Sequence, residues 1–150
     1  MLALKVDNHF TMNGIFIIAH TPLASALRQC VLHVFADHCT GVAALDVQPD
    51  VAPEETLAQA HTMLSQLGTA NVLVLADVFG ATPCNVAQKL VDGVHSQLVT
   101  GINLPMLLRT VCYRHETLDA LVARALVGAA QGVMHMAVTA TENQAKRHHD

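Results

Sequence analysis

The sequence predicts an α/β fold, with an open, doubly wound and mostly parallel sheet that carries helices on both faces. Two observations indicate this fold. Short runs of β-branched residues, bounded by turn residues, alternate with longer segments of helical period, which is typical of βαβ units. Residues 71–76 form a nearly continuous apolar run, as expected for a central parallel strand covered on both faces. We therefore place this run in the middle of the sheet.

The first half of the chain is predicted to contain two strands and two helices. The strands are expected at residues 14–19 and 42–47, which are short, apolar and bounded by turn residues. A helix from about residue 22 to residue 38 connects them, with its apolar residues on one face. The second helix opens at residues 50–53, has two glutamates in its first turn, and ends at Gly68.

The second half continues the alternation and ends in a last strand. The apolar stripe of its final helix is the clearest in the chain, and Gly132 is predicted to end that helix. The predicted elements are a turn at 79–83 leading into a helix to about 91, a strand at 97–100, helices at 105–114 and 118–131, and a strand at 133–139.

The composition predicts one compact domain that neither binds nucleic acid nor inserts directly into a membrane. Of 150 residues, 52% are hydrophobic, whereas the net charge is -4 and no long basic run occurs. Apolar stretches are interrupted, for example at His20 and Asp77, before they are long enough to cross a bilayer. We expect the domain to span residues 12–140, between a disordered extension at 1–11 and a polar tail at 141–150.

Cysteine and histidine spacing predicts no metal site and no cofactor. The 4 cysteines show no CxxC pattern, and the 10 histidines form no HExxH or related ligand pattern. The first residues lack the uninterrupted apolar segment of a secretory signal. These observations favour a cytoplasmic protein with reduced thiols.

Two strand ends share a pattern that points to chemistry. His20 follows the first strand and Asp77 follows the third, and each is followed by a Thr-Pro pair that we expect to start a helix, with Thr at the N-cap and Pro at N1. The carboxyl ends of central parallel strands border the ligand crevice of such sheets, so the two side chains are expected to meet there. A carboxylate that holds one ring N–H of an imidazole aims the other nitrogen for attack on phosphorus. The pair therefore predicts phosphoryl transfer through His20, with Asp77 as its orienting group.

A phosphoryl group on His20 is expected to face free backbone N–H groups at the two helix starts. The predicted phosphoryl-binding residues are Thr21, Phe79, Gly80, Ala81 and Thr82. Simpler interpretations remain open at this point. His20 is then an ordinary residue at a strand end, Asp77 caps the following turn, and Thr82 caps a helix.

Three separated motifs carry a family resemblance: IIAHTPLA at residues 17–24, VLADVFGATPCN at 74–85 and GINLPML at 101–107. In this order they resemble the motifs of the mannose-type (mannose/fructose/sorbose) IIA domains of the bacterial phosphoenolpyruvate-dependent sugar phosphotransferase system. The similarity runs from about residue 14 to residue 138. The chain departs from the family pattern where Thr21, Ala81 and Cys84 replace residues that are often Gly, Gly and Phe.

The resemblance implies a role for each member of the pair. His20 accepts a phosphoryl group on Nε2 from the histidine-containing phosphocarrier protein, and Asp77 holds Nδ1. The acceptor is a IIB component, expected on a separate polypeptide. The resemblance also implies a homodimer in which the last strand, near residues 133–138, is exchanged between subunits and covers a sheet edge.

Two other functions stay open. The chain is alternatively a stand-alone regulatory module whose phosphorylation state a partner reads, or a phosphoryl relay to a dihydroxyacetone kinase. A nucleotide-using enzyme is disfavoured because no GxxxxGK[ST] or GxGxxG loop follows a strand.

Overall fold

The computed structural model describes residues 12–36 and 40–138, in which strands and helices alternate as predicted. The strands are β1 (Gly14–His20), β2 (Val42–Val47), β3 (Val72–Ala76) and β4 (Ser96–Thr100). The helices are α1 (Leu23–Val34), α2 (Pro53–Leu67), α3 (Thr82–Leu90), α4 (Leu104–Cys112) and α5 (Leu118–Gln131). The predicted α/β fold class is confirmed.

All four strands form one parallel sheet in the order β2-β1-β3-β4. From β1 the chain first builds outwards to β2, then crosses back to add β3 on the other side of β1. This reversal makes the carboxyl ends of β1 and β3 a topological switch point, where open α/β sheets bind ligands. The fold therefore places the residues that follow β1 and β3 at the sheet's natural crevice.

Two apolar cores lie on opposite faces of the sheet, and successive strand residues alternate between them. In β1, Ile15 and Ile17 face α1, α4 and α5, whereas Phe16 and Ile18 face α2 and α3. All four side chains are fully buried. This double coverage explains why the central strands are apolar without a break.

Both Thr-Pro helix starts differ from the prediction by one residue. Pro22 occupies the N-cap position of α1, and Thr82 is the first residue of α3 rather than its N-cap. Neither cap residue makes a side-chain hydrogen bond. At α1, a carboxylate from β2 takes this role instead, because the Ser25 N–H donates to Asp46 Oδ1 at 3.0 Å. The local pattern located both starts but missed a cap supplied by a distant residue.

The segment 133–138 is not a strand in the single chain, contrary to the sequence-based expectation. It follows α5, which ends at Gly132 as predicted, and has no sheet partner among the described residues. Its apolar side chains are exposed: Val133, Met134, Met136 and Val138. Thr139 lies outside the described residues, and exchange of this segment between subunits stays a prediction.

The outermost sequence predictions also concern residues outside the described part. The extension at 1–11 and the tail at 141–150 lie there, as does His38, where the first helix was expected to end. Among the described residues, α1 ends at Val34. No described helix combines the length and apolarity needed to cross a membrane.

Candidate functional site

His20 and Asp77 are in direct contact at the switch point. His20 Nδ1 lies 2.6 Å from Asp77 Oδ2, and the backbone N–H of His20 donates to the same oxygen at 3.0 Å. The two residues are 57 positions apart in the chain. The meeting of the two strand ends that the sequence predicted is therefore seen in the structure.

Strand register and a loop from β4 hold Asp77 in place. Ala76 lies opposite Ile18, so the next residue of that chain segment sits beside the end of β1. The backbone N–H groups of Gly101 and Ile102 both donate to the Ala76 carbonyl, at 3.0 and 3.1 Å. The third sequence motif thus fixes the peptide immediately before the carboxylate.

The environment of Asp77 keeps its side chain ionised. Burial raises its pKa, but the backbone N–H of His20, the His20 ring and the backbone N–H of Val78 outweigh this effect and hold the pKa below its usual value. The Val78 N–H donates to Oδ1 at 2.9 Å. An ionised carboxylate only accepts hydrogen bonds, so the proton in the 2.6 Å contact belongs to His20 Nδ1.

The exposure of the two side chains differs in a way that matters for chemistry. The carboxylate is only 10% exposed, whereas the imidazole is 55% exposed. With Nδ1 occupied by Asp77, Nε2 is the ring nitrogen left to react. The arrangement is a fixed carboxylate beside an accessible, oriented nucleophile.

An open cleft of about 430 Å³ lies beside the imidazole. Thr21 and Thr82 line it together with His20. The β2–α2 loop and its flanking residues form the other wall: Val47, Gln48, Pro49, Val51 and Pro53. Sequence reasoning missed this wall, although Val47 pairs with His20 across the sheet and its successors therefore begin at the same edge.

The five predicted phosphoryl-binding residues do not all occupy the cleft. Thr21 and Thr82 do, whereas Phe79, Gly80 and Ala81 form the turn between Asp77 and α3 and are not among its lining residues. Phe79 is 77% exposed. Gly80 has φ +84°, a left-handed conformation that favours glycine.

The N-terminus of α3, which is the positive end of that helix dipole, borders the cleft through Thr82. The first helical hydrogen bond runs from the Asn85 N–H to the Ala81 carbonyl at 3.0 Å. The N–H groups of Thr82 and Cys84 precede it and have no partner within the helix, and Pro83 has no N–H. Unpaired N–H groups at a helix start favour an anion.

Metal binding finds no support in the described part of the chain. Nowhere in residues 12–36 and 40–138 do three His, Cys, Asp or Glu side chains gather in a group able to hold a metal ion.

Comparisons with known proteins agree on one family. The family model described as "PTS system fructose IIA component" matches residues 14–126. The "PTS system mannose-specific EIIAB component" of Escherichia coli K12 is 32% identical over 105 residues, which cover 67% of this chain and 32% of that protein. The chain thus spans about a third of the length of this curated relative.

Solved structures share the fold. The mannose/sorbose-specific IIA subunit of the phosphotransferase system from Enterococcus faecalis superimposes with a TM-score of 0.77 at 23% identity, covering 85% of this chain and 96% of that one. The phosphotransferase component EIIA from Streptococcus agalactiae gives 0.73 at 24% identity, covering 83% and 97%. Because the family match spans residues 14–126, which contain the His20–Asp77 pair, the chain belongs to the mannose/fructose IIA family of the sugar phosphotransferase system.

Proposed function

We propose that the chain is a phosphocarrier in which His20 accepts a phosphoryl group from the histidine-containing phosphocarrier protein and passes it to a IIB component. The observation that carries this proposal is the 2.6 Å contact between His20 Nδ1 and Asp77 Oδ2. Family membership supports a phosphoryl-transfer role in the sugar phosphotransferase system. The half-exposed ring is accessible to a macromolecular donor.

The transfer step balances without any added reagent. The lone pair on Nε2 attacks the phosphorus of a phosphohistidine on the donor, and an N–P bond forms. The donor's N–P bond breaks, and its electron pair returns to the donor's ring nitrogen. Nδ1 keeps its proton against Asp77, so the positive charge that develops on the ring lies beside a carboxylate. In the next step the acceptor protein attacks the phosphorus. The N–P bond on His20 then breaks, and its electron pair returns to Nε2.

The residues around His20 would bind the transferred group's oxygens. We propose that the Thr21 and Thr82 hydroxyls and the free N–H groups at the start of α3 act as donors. The turn formed by Phe79, Gly80 and Ala81 leads directly into α3, and we propose that its backbone N–H groups also donate to the phosphoryl oxygens. Phosphoryl transfer depends on positioning and charge stabilisation, which these donors supply at a helix start.

Replacing the histidine tests the proposal directly. Purified chain is incubated with phosphoenolpyruvate and the two general proteins of the phosphotransferase system, and its label is measured. Wild-type protein is expected to acquire an acid-labile phosphoryl group, and His20→Ala none. His95→Ala is the matched control, because His95 also faces an aspartate, Asp92, at 3.3 Å. Full labelling of His20→Ala, or no labelling of wild type, contradicts the proposal.

The acceptor is tested separately from the donor. Phosphorylated and unphosphorylated chain are used as bait, and bound proteins are identified. Enrichment of a IIB component by the phosphorylated form supports the proposal. A dihydroxyacetone kinase or a transcriptional regulator in its place would assign the relay or the regulatory alternative.

We also propose that the chain is a homodimer held in part by the segment 133–138. Its exposed apolar side chains, among them Val133 at 75% and Val138 at 80% exposure, support pairing with a second subunit. Deleting residues 133–150 is expected to convert a dimer into a monomer in sedimentation experiments. A monomeric full-length chain, or an undiminished dimer after the deletion, contradicts this part of the proposal.

A further inference from the structure

Gln48 brings a primary amide close to the imidazole of His20. Its Nε2 donates to Thr21 Oγ1 at 3.4 Å, which is long for a hydrogen bond. Thr21 directly follows His20, and Gln48 and His20 line the same cleft. The amide therefore contacts the residue next to the reacting histidine, and this hydrogen bond is weak.

The backbone at Gln48 is anchored although its side chain is exposed. The preceding residue, Val47, pairs with His20 in the sheet and accepts a hydrogen bond from the Thr21 N–H at 3.2 Å. The Gln48 carbonyl accepts from the Val51 N–H at 3.4 Å. Reorienting the amide thus needs only side-chain rotation on a fixed backbone.

The charge of the cleft creates a need for this donor. The described residues that line it include no lysine and no arginine. A phosphoryl group brings a charge of about -1.5 to -2 at neutral pH, with three strong acceptor oxygens. Neutral donors have to satisfy those oxygens, and the Gln48 amide offers two N–H bonds, one of which is spent on Thr21.

We infer that Gln48 is a phosphoryl-binding residue, whose amide turns from Thr21 to donate to an oxygen of the phosphoryl group on His20 Nε2. The inference rests on the proposed function and extends it to the β2–α2 loop. The Thr21 hydroxyl only accepts in its contact with Gln48, so its own O–H is available to donate to the same group.

A neutral donor at this position suits a carrier. Hydrogen bonds from charged donors are about twice as strong as neutral ones. A cation in place of Gln48 would hold the phosphoryl group more tightly and oppose its onward transfer. The amide stabilises the group on His20 moderately and lets it leave.

The test measures the equilibrium constant for phosphoryl exchange with the phosphorylated carrier protein. An equilibrium constant between separate proteins does not depend on how well they dock, so it reports only on the environment of the phosphoryl group. Gln48→Met keeps the length of the side chain and removes the donors, Gln48→Glu adds a repelling charge, and Gln48→Lys adds an attracting one. The same three changes at Gln66, an exposed glutamine near the other end of α2, are the matched controls.

The expected order is Lys above wild type, then Met, then Glu. Loss of one net hydrogen bond should lower the constant about fivefold in Gln48→Met. The three Gln66 variants should match wild type. A Gln48→Met protein with an unchanged constant, or equal shifts in all three Gln48 variants, overturns the inference and indicates a merely structural contact. In that case labelling of wild type at His20 still upholds the proposed function, whereas unlabelled wild type overturns both.

Discussion

The described residues contain two His–Asp pairs, and the pairs differ in the features that the proposed function requires. In the first, His20 Nδ1 meets a carboxylate 57 residues away that is 10% exposed. In the second, His95 Nδ1 lies 3.3 Å from Asp92, three residues earlier, and both side chains are largely exposed at 71% and 52%. The first pair is created by the sheet, and the second by a local turn.

The second carboxylate mainly organises its own loop. Asp92 Oδ1 accepts from the backbone N–H groups of Val94, His95 and Ser96, at 2.8, 2.7 and 3.0 Å. The Val94 and Ser96 N–H groups are the main reason why the pKa of Asp92 lies well below its usual range. Under the proposed function, a histidine beside an ionised aspartate is not enough, because the ring also has to face a cleft with donors for the transferred group, as His20 does.

The largest expected difference between the pairs is in transfer rate. Asp77→Asn removes the charge that stabilises the phosphorylated ring and leaves one acceptor oxygen for the three N–H groups that now bind the carboxylate, so transfer should slow about a hundredfold. Asp92→Asn should leave the rate unchanged. Rapid-quench measurement of label on His20 distinguishes the two variants. An unaltered rate in Asp77→Asn would mean that this carboxylate only caps the turn through Val78.

A smaller effect is expected at Thr82, which lines the cleft beside the first pair. Thr82→Val removes the hydroxyl at the start of α3 and should lower the equilibrium phosphorylation of His20 about fivefold, which corresponds to one net hydrogen bond. Thr82→Ser should restore the wild-type value, because it keeps the hydroxyl. Equal loss in the Ser and Val variants would assign Thr82 a packing role instead.

The smallest expected effect is on stability, measured as the free energy of unfolding. The pKa of Asp77 in the folded protein lies below the ordinary value of an aspartate, so the folded protein binds fewer protons than the unfolded chain in this range. Its contribution is complete above about pH 4 and is lost as the pH falls through the folded-state value. The free energy of unfolding should therefore drop by about 1 kcal/mol in Asp77→Asn at neutral pH, and the difference should shrink in acid.

Urea titrations at several pH values check this, with Asp92→Asn alongside. Both carboxylates have a lowered pKa, so both variants should show a stability loss of the same sign. The rate of phosphoryl transfer should therefore distinguish the two pairs, whereas stability in acid should not. A difference that grows as the pH falls would contradict the assigned direction for Asp77.

The sequence predicted those features that periodicity and topology control. The apolar run of β3 placed that strand in the sheet's interior, and the positions of His20 and Asp77 after two central strands placed them at one edge. Both expectations are met because parallel strands bring their carboxyl ends together. The motifs that carry the family resemblance contain these two residues and the segment that follows β4.

Features that depend on distant contacts were not predicted. Asp46 caps α1 from another strand, so the Thr-Pro pattern misplaced the helix start. Gln48 joins the cleft because Val47 pairs with His20 and thereby brings Gln48 beside Thr21, and the local sequence does not reveal this strand register. The segment 133–138 is apolar, as expected of a strand, but a strand needs a neighbour to form hydrogen bonds with, and the single chain offers it none among the described residues.

The alternation of β1 between two cores has a consequence beyond packing. His20 belongs to the same parity as Phe16 and Ile18, which face α2 and α3, and the cleft is lined by residues at the starts of those two helices. The order of large apolar residues along five preceding positions thus selects the direction in which the imidazole emerges. A shift of β1 by one residue would turn both the apolar side chains and the imidazole to the opposite face, so core packing and the position of His20 depend on the same strand geometry.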